Sequence, residues 1–293
     1  MLLDAEFFVK AIFPPAILLL GLIGNLLLFL VFSRKKFSSF PIRNIFRFLA
    51  FADSVYLLQF IEDYLAHMFD YDVRNFSSVS CKIFRYFNYS LCPISGWILV
   101  YISFERLLSI WSPYKNNLIK KNSFQIKTVL FVVVWNLVTY LPIIFYHDKQ
   151  YSSADDLKGT CDFITDESRA YMGLYDLINS TILPFFFMFI SSILIINAIV
   201  KSRLKVQVKN LTFDKIKRDV RFGVFTLVLN LMFILFNLPV CVVYVFSGYH
   251  DGVFSLLALF ILYANFAHNF YVFFIFNSFF RKECLTMLGF NKK

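Results

Sequence analysis

Seven apolar blocks separated by short polar segments run along the chain, at 9–32, 44–66, 80–111, 126–145, 171–200, 220–246 and 253–276. Each is long enough to cross the roughly 30 Å hydrocarbon layer as a helix, which takes about 20 residues. Little chain remains for a soluble domain, so the pattern predicts one all-α membrane unit over 1–293, a seven-transmembrane helix bundle. Residues 278–289 mix charged and aromatic positions and predict a short amphipathic eighth helix lying on the membrane. The third block is the most informative, because Cys81 opens it and Glu105-Arg106 nearly closes it. As a helix that stretch covers about 37 Å, so both ends are wet. Residues 1–6 include acids and lack the basic region of a cleaved signal peptide, so the first block is expected to be retained.

Charge adds a direction. Arg34, Lys35, Lys36 and Arg43 follow the first span, and Lys115, Lys120, Lys121 and Lys127 the third. The connection 201–221 after the fifth span is the richest in bases, and Arg281, Lys282, Lys292 and Lys293 follow the seventh. The other connections carry acids such as Asp70, Asp72, Asp148, Asp162 and Glu167. By the positive-inside rule the N-terminus lies outside and the C-terminus in the cytosol. The net charge of +10 is divided among four short loops, some of it facing anionic membrane lipid, and does not form the single basic face that a nucleic acid needs. A composition 59% hydrophobic and 20% aromatic, with 40 phenylalanines, could not coat a soluble globule of this size.

Of the cysteines, Cys81 and Cys161 fall at the predicted outer face, Cys92 and Cys241 lie inside spans and Cys284 lies past the last. A Cys81–Cys161 bridge is expected in an oxidising exterior and would tie the long outer connection to the third helix; two unpaired thiols are the alternative. Cys284 is a palmitoylation candidate. Asn75-Phe76-Ser77 is an outward glycosylation sequon, whereas Asn88-Tyr89-Ser90 sits inside a span.

Polar residues inside apolar blocks are costly and therefore candidates for function. Asp53 lies near the middle of the second block, Asn25 in the first, Ser95 in the third, and Asn265 and Asn269 four residues apart in the seventh. If Asp53, Ser95, Asn265 and Asn269 converge, they make an oxygen-rich pocket for a small hard cation such as sodium, or a hydrogen-bonded knot that holds no ion. No other cofactor is indicated. Glu105, Arg106 and Asp219 suggest a latch between the third and sixth helices, against the alternative that Arg106 merely snorkels. Pro142, Pro184 and Pro239 lie in the fourth, fifth and sixth blocks, where a missing N–H bends a helix; Pro239 is the expected hinge, or else a purely structural kink.

In this order and spacing the chain resembles the rhodopsin-like (class A) G-protein-coupled receptors over nearly its whole length. The matching residues begin with Gly24-Asn25, Leu49-Ala50 with Asp53, and Cys81 with Glu105-Arg106-Leu107 where that family usually has Asp-Arg-Tyr. They continue with Pro113, Trp135, Cys161, Pro184, Phe233 with Phe236 and Pro239, and the run Asn269-Phe270-Tyr271-Val272-Phe273 followed by Phe279-Phe280-Arg281. Asn269-Phe270 in place of Asn-Pro is similar to invertebrate FMRFamide-like neuropeptide receptors. The resemblance implies a receptor and not an enzyme, located in the plasma membrane. It would bind an extracellular peptide or small molecule and activate a heterotrimeric G protein as the sixth helix moves outward. The implied switch residues are Glu105, Arg106, Asp219, Phe233, Phe236, Pro239, Asn269 and Phe273. Asn88, Cys92, Asn237, Cys241, Tyr244 and Tyr263 would line the ligand pocket.

Asn88 stands where an amine receptor has its aspartate, and Tyr263 where an opsin has its retinal lysine. Asn237 replaces the usual toggle tryptophan, while Ser192 and Phe273 replace the two tyrosines whose hydroxyls usually share a water bridge. Glu62 and Asp63, near the outer end of the second helix, suggest a cationic ligand such as a peptide ending in Arg-Phe-amide, or simply a solvated helix end. A divergent invertebrate chemosensory receptor of the same fold is an alternative. A seven-span transporter is a further one, but it would be expected to show repeats or matching broken half-helices, and with nine glycines and no detectable repeat the chain offers neither. Four scattered histidines, with no His-Glu-x-x-His and no Gly-x-Ser-x-Gly, assemble no catalytic group.

Overall fold

The computed structural model describes residues 11–38, 40, 42–111, 121–151, 159–206, 213–247 and 253–290, with only the backbone described at 67, 110–111, 199, 201–206, 213–222, 244–247 and 253. Its helices follow the apolar blocks. α1 (Phe13–Ser33) places Pro14 in its first turn, where no N–H partner is needed. α2 (Arg43–Phe69) is closed by Asp70 in the left-handed region at φ 52°. α3 (Ser78–Trp111) is the long central helix, and α4 (Asn122–Thr139) follows it. α4 ends earlier than the apolar run, because Pro142 cannot continue the ladder and instead starts a separate turn, Ile143–Tyr146. Pro142 thus interrupts the helix inside the fourth span, Asn122–Tyr146, as expected.

The fifth span begins earlier than its apolar block. Thr165 and Ser168 form a reciprocal capping box, and Asp166 and Glu167 occupy the positive end of the first turn, so the helix starts in polar sequence. It runs as α5a (Asp166–Asp176), a π-helical stretch Leu177–Ile182 and α5b (Leu183–Val206). Pro184 follows the π stretch in the middle of this continuous span, as expected, where its missing N–H leaves a carbonyl of the preceding turn free. α6 (Phe213–Ser247) carries Pro239 in its interior, as expected.

The seventh span departs most from expectation. It is broken into α7a (Val253–Ala264) and α7b (Asn269–Phe276), with the two halves bent by 56°. Counting that bent pair as one span gives seven apolar spans among the described residues. α8 (Ser278–Met287) follows, capped by the Asn277 side chain on the Phe280 N–H.

Two strands were not anticipated. β1 (His147–Gln150) pairs antiparallel with β2 (Thr160–Phe163), placing His147 opposite Phe163. The Cys81–Cys161 disulfide joins β2 to the first turn of α3. Asn75 Oδ1 accepts the Cys161 N–H at 2.7 Å, which fixes the same strand from the α2–α3 connection. The sequon asparagine is thus a strut through its carbonyl oxygen.

Large apolar side chains face outward around the bundle, including Leu19, Ile23 and Leu26 on α1, Phe131 and Trp135 on α4, and Phe186 and Phe189 on α5b. Such a belt suits lipid and not water. Among the described residues the inside holds three apolar clusters: a small one of Tyr140, Ile143 and Met172 near the hairpin, and two larger ones. One centres on Tyr56, Phe60, Tyr263 and Phe266 between α2 and the α7 break, and the other on Phe32, Phe46, Phe225, Phe233, Phe273 and Phe280. Between them lie the buried polar groups.

Candidate functional site

Near the disulfide end, α2, α3 and α7a meet through one polar network. Asp63 on α2 receives Arg74 Nη1 at 2.8 Å and the Tyr263 hydroxyl at 2.7 Å. Arg74 itself sits in a helical turn after α2, Val73–Asn75, and is also clasped by Asp72 at 2.7 Å. Burial alone would raise the Asp72 carboxyl, but the hydrogen bonds and charge of Arg74 outweigh it and hold the group below the usual range. The expectation that Asp63 awaits a cationic ligand is therefore corrected: the chain's own arginine and a tyrosine already satisfy it. Nothing in the loop sequence announced that Arg74 would fold back onto α2. Glu62, half-buried, lies in the electrostatic reach of the same arginine. Asn88 lies beside Tyr263, and Cys92 beside Tyr56, so these α3 residues join the same wall. Tyr263 stacks on Phe60 with centroids 4.0 Å apart.

The opposite wall is built by α4 and α5. Tyr140, fully buried, donates to Asp176 Oδ1 at 2.7 Å. Asn179 bridges Asn136 at 3.0 Å and receives Trp97 Nε1 at 3.3 Å, so α3, α4 and the π stretch are pinned together. Asp176 lies within electrostatic reach of Cys92 on α3 and Cys241 on α6, and Cys241 bonds Thr181. The sequence reading missed Asp176, although an acid inside an apolar block is the same signal that singled out Asp53. Asn237 turns its amide back onto the Phe233 carbonyl at 2.7 Å and so partly satisfies itself within α6. The Tyr244 side chain lies outside the described residues.

At mid-bundle, Asn269 Nδ2 donates to Asp53 Oδ2 at 2.8 Å, and Ser95 lies beside the same carboxylate group. The break in α7 explains part of this polarity. Where the helix opens, Asn25 Nδ2 donates to the Phe266 carbonyl at 3.0 Å and His268 Nδ1 meets the Asn265 carbonyl at 2.7 Å. Neither proline nor glycine occupies 265–268, so side chains holding freed carbonyls stand in for the usual helix breakers. Gly21 permits the approach: a Cβ there would sit 2.6 Å from Leu57 Cδ1 and 2.9 Å from Ala267 Cβ.

At the far end of α3, Arg106 Nη2 pairs with Glu105 Oε2 at 2.7 Å, and Ser109 donates to Glu105 Oε1 at 2.8 Å. The guanidinium also lies 5.5 Å from the Phe40 ring centroid. The Asp219 side chain lies outside the described residues, so the third member of the expected latch is not placed. A different tie is present. Asn230 on α6 accepts the Ser103 hydroxyl at 3.0 Å and donates to Ser192 Oγ at 2.9 Å, linking α3, α6 and α5b. Ser192, which stands where a tyrosine was expected, thus keeps a polar role with a new partner. Asn230 was not foreseen, though it too is a polar residue inside an apolar block.

Phe273, the other replaced tyrosine, is packed among rings of Phe225, Phe46, Phe32 and Phe280 at 4.1, 4.7, 5.1 and 5.1 Å. Phe236 faces His268 at 5.0 Å. Phe233 packs where α3 has Gly96: an added Cβ there would meet Phe233 Cε2 at 3.2 Å and Pro184 Cβ at 3.5 Å. α8 turns Phe280, Glu283 and Cys284 inward, and Glu283 pairs with Lys36 at 2.5 Å and Arg34 at 3.4 Å. Cys284 is fully buried, which corrects the palmitoylation expectation: its thiol faces the bundle and not the lipid.

Seven apolar spans, a disulfide-tied hairpin over one end and a buried glutamate–arginine pair at the other define a membrane receptor of the seven-helix class. The chain matches the family described as 7 transmembrane receptor (rhodopsin family) over residues 24–281, and it belongs to that family. A search of curated proteins returned no match. Rhodopsin-family members are multi-pass membrane receptors and not enzymes, and the family implies an extracellular ligand and a G-protein partner.

Proposed function

We propose that this receptor takes an extracellular neuropeptide at the disulfide end, with the N-terminus outside, and drives nucleotide exchange on a heterotrimeric G protein at the Arg106 end. The carrying observation is that one helix, α3, connects both regions: Asn88 and Cys92 belong to the polar walls at one end, and Ser103, Glu105 and Arg106 to the ties at the other. Outward motion of α6 about Pro239 would part Asn230 from Ser103 and uncover Arg106 for the G protein. The preference for an amidated peptide of the Arg-Phe type rests on the resemblance in the α7b region; the basic side chains of 201–221, expected to meet lipid and G protein, lie outside the described residues. The test is calcium release in cells carrying promiscuous G proteins, challenged with a library of amidated neuropeptides and small odorants. A peptide response abolished by Arg106→Ala supports the reading. Responses to odorants alone would replace the neuropeptide by a chemosensory ligand.

A sodium ion at mid-bundle is part of the same proposal. Asp53 Oδ1, Ser95 Oγ, Asn265 Oδ1 and Asn269 Oδ1 are buried oxygens without a hydrogen-bond donor among the described residues, a donor set that suits a small hard cation. They would hold the ion between α2, α3 and α7 and keep those helices in the closed arrangement. Sodium titration of thermal stability, with potassium as the control, tests this. A sodium effect that survives Asp53→Asn would remove the site.

A further inference from the structure

We propose that Asp176 is the ligand's counter-ion, and that the group it takes is a guanidinium or amine. This deepens the receptor reading above and rests on it. Three acids lie along the inner walls near the disulfide end, and the structure treats them differently: Glu62 and Asp63 both lie within reach of Arg74, and Asp176 does not share it. Asp63 is neutralised from within by Arg74, which approaches it at 2.8 Å. Asp176 pairs with no cation among the described residues; one carboxylate oxygen accepts the neutral Tyr140 hydroxyl at 2.7 Å. An ionised carboxylate in an apolar surround is costly unless it is paired, so a position that holds one without a cation is a position waiting for one.

The local structure fixes where the carboxylate points. Asp176 is the last residue before the π stretch Leu177–Ile182, a geometry that shifts helix register by one residue and that is often found at functional positions. The stretch is held by Asn179 between Trp97 and Asn136, so the register is locked by side chains from α3 and α4. Tyr140, fully buried, then positions Asp176 in reach of Cys92 and Cys241, on the α3 and α6 sides of the pocket. A guanidinium arriving between α3, α5 and α6 can bond the carboxylate bidentately or share it with Tyr140.

The test uses the full receptor in lipid nanodiscs and four probes, benzylguanidine and benzylamine with their uncharged counterparts benzylurea and benzyl alcohol. Binding is read by thermal shift or calorimetry without G protein. Expected is at least tenfold tighter binding of each cation than of its neutral counterpart, lost in Asp176→Asn and kept in Glu62→Gln. Tyr140→Phe removes the positioning hydrogen bond but keeps the charge, and it should preserve the cation preference even if Asp176→Asn folds poorly. Equal binding of charged and uncharged probes by the native receptor, or a preference surviving Asp176→Asn, overturns the proposal. Peptide-driven nucleotide exchange undiminished by Asp176→Asn would also overturn it while leaving the receptor reading intact; cation binding at Asp176 without exchange would do the reverse.

Discussion

Replacing Asn230 with leucine removes the tie between α3, α5b and α6 while keeping the side chain's bulk. Its two shorter hydrogen bonds are lost, from Ser103 at 3.0 Å and to Ser192 at 2.9 Å, together with a marginal one to the Met188 carbonyl at 3.4 Å that shares the same amide and adds little. At about 1 kcal/mol net each, the closed arrangement weakens by about 2 kcal/mol. The serines released can turn back onto carbonyls of their own helices, so no further penalty is added. If both bonds break when α6 swings out, the closed-to-open ratio falls about 30-fold, since about 1.4 kcal/mol is tenfold. An open fraction of about 1% would rise to about a quarter. Spin labels at Phe124 on α4 and Val224 on α6, both exposed, report the separation of the two helices by pulsed electron resonance in ligand-free receptor. Ser192→Ala, which loses one bond, should give an intermediate shift of about fivefold. A distance distribution unchanged by Asn230→Leu, in protein that remains folded, would refute the role of this tie.

Three further outcomes follow from other parts of the molecule. Burial against Phe163, whose ring centroid is 3.8 Å away, and the nearby charge of Arg85 hold the His147 imidazole down at about 4, outweighing Asp162. The folded hairpin therefore keeps its full stability above about pH 6.5 and loses it progressively toward pH 4, by about 2 kcal/mol at pH 5. Amide exchange in 147–163 should accelerate over that window, and His147→Gln should flatten the curve. Gly21→Val would drive a side chain into Leu57 and Ala267 and cost about 1–3 kcal/mol, read as a fall in thermal stability with the α7 break disturbed. Cys284 should resist maleimide in the folded receptor and react once α8 is detached by Glu283→Lys, which turns its pairing with Lys36 and Arg34 into repulsion.

Much of the architecture was legible because lipid leaves the backbone few options: an apolar block of span length must be a helix. The disulfide was legible for a similar reason, since two cysteines fell on one predicted face. Asp53 meeting Asn269 followed from the cost of leaving either unpaired at mid-membrane. What escaped depends on partners far away in sequence. The α7 break has no proline or glycine at 265–268, and its stabilisers include Asn25, 241 positions away. Arg74 looks like an ordinary loop base until it folds onto Asp63. Asp176 carried a readable signal, but it sits near the polar start of its span, where an acid is easily taken for a helix-end charge.

The ring cluster around Phe273 has a thermal consequence. Opening that end of the bundle must pull apart several of the rings of Phe32, Phe46, Phe225 and Phe280 that now surround it. Wetting roughly 300 Å² of aromatic surface, about two side chains' worth, raises the heat capacity of the open form by about 0.14 kcal/mol per kelvin. Over about 20 K the enthalpy of opening then changes by about 3 kcal/mol. A hydroxylated residue at 273 would hydrate that region in both forms and shrink the difference. With phenylalanine at this position, the free energy of such an opening is expected to curve with temperature.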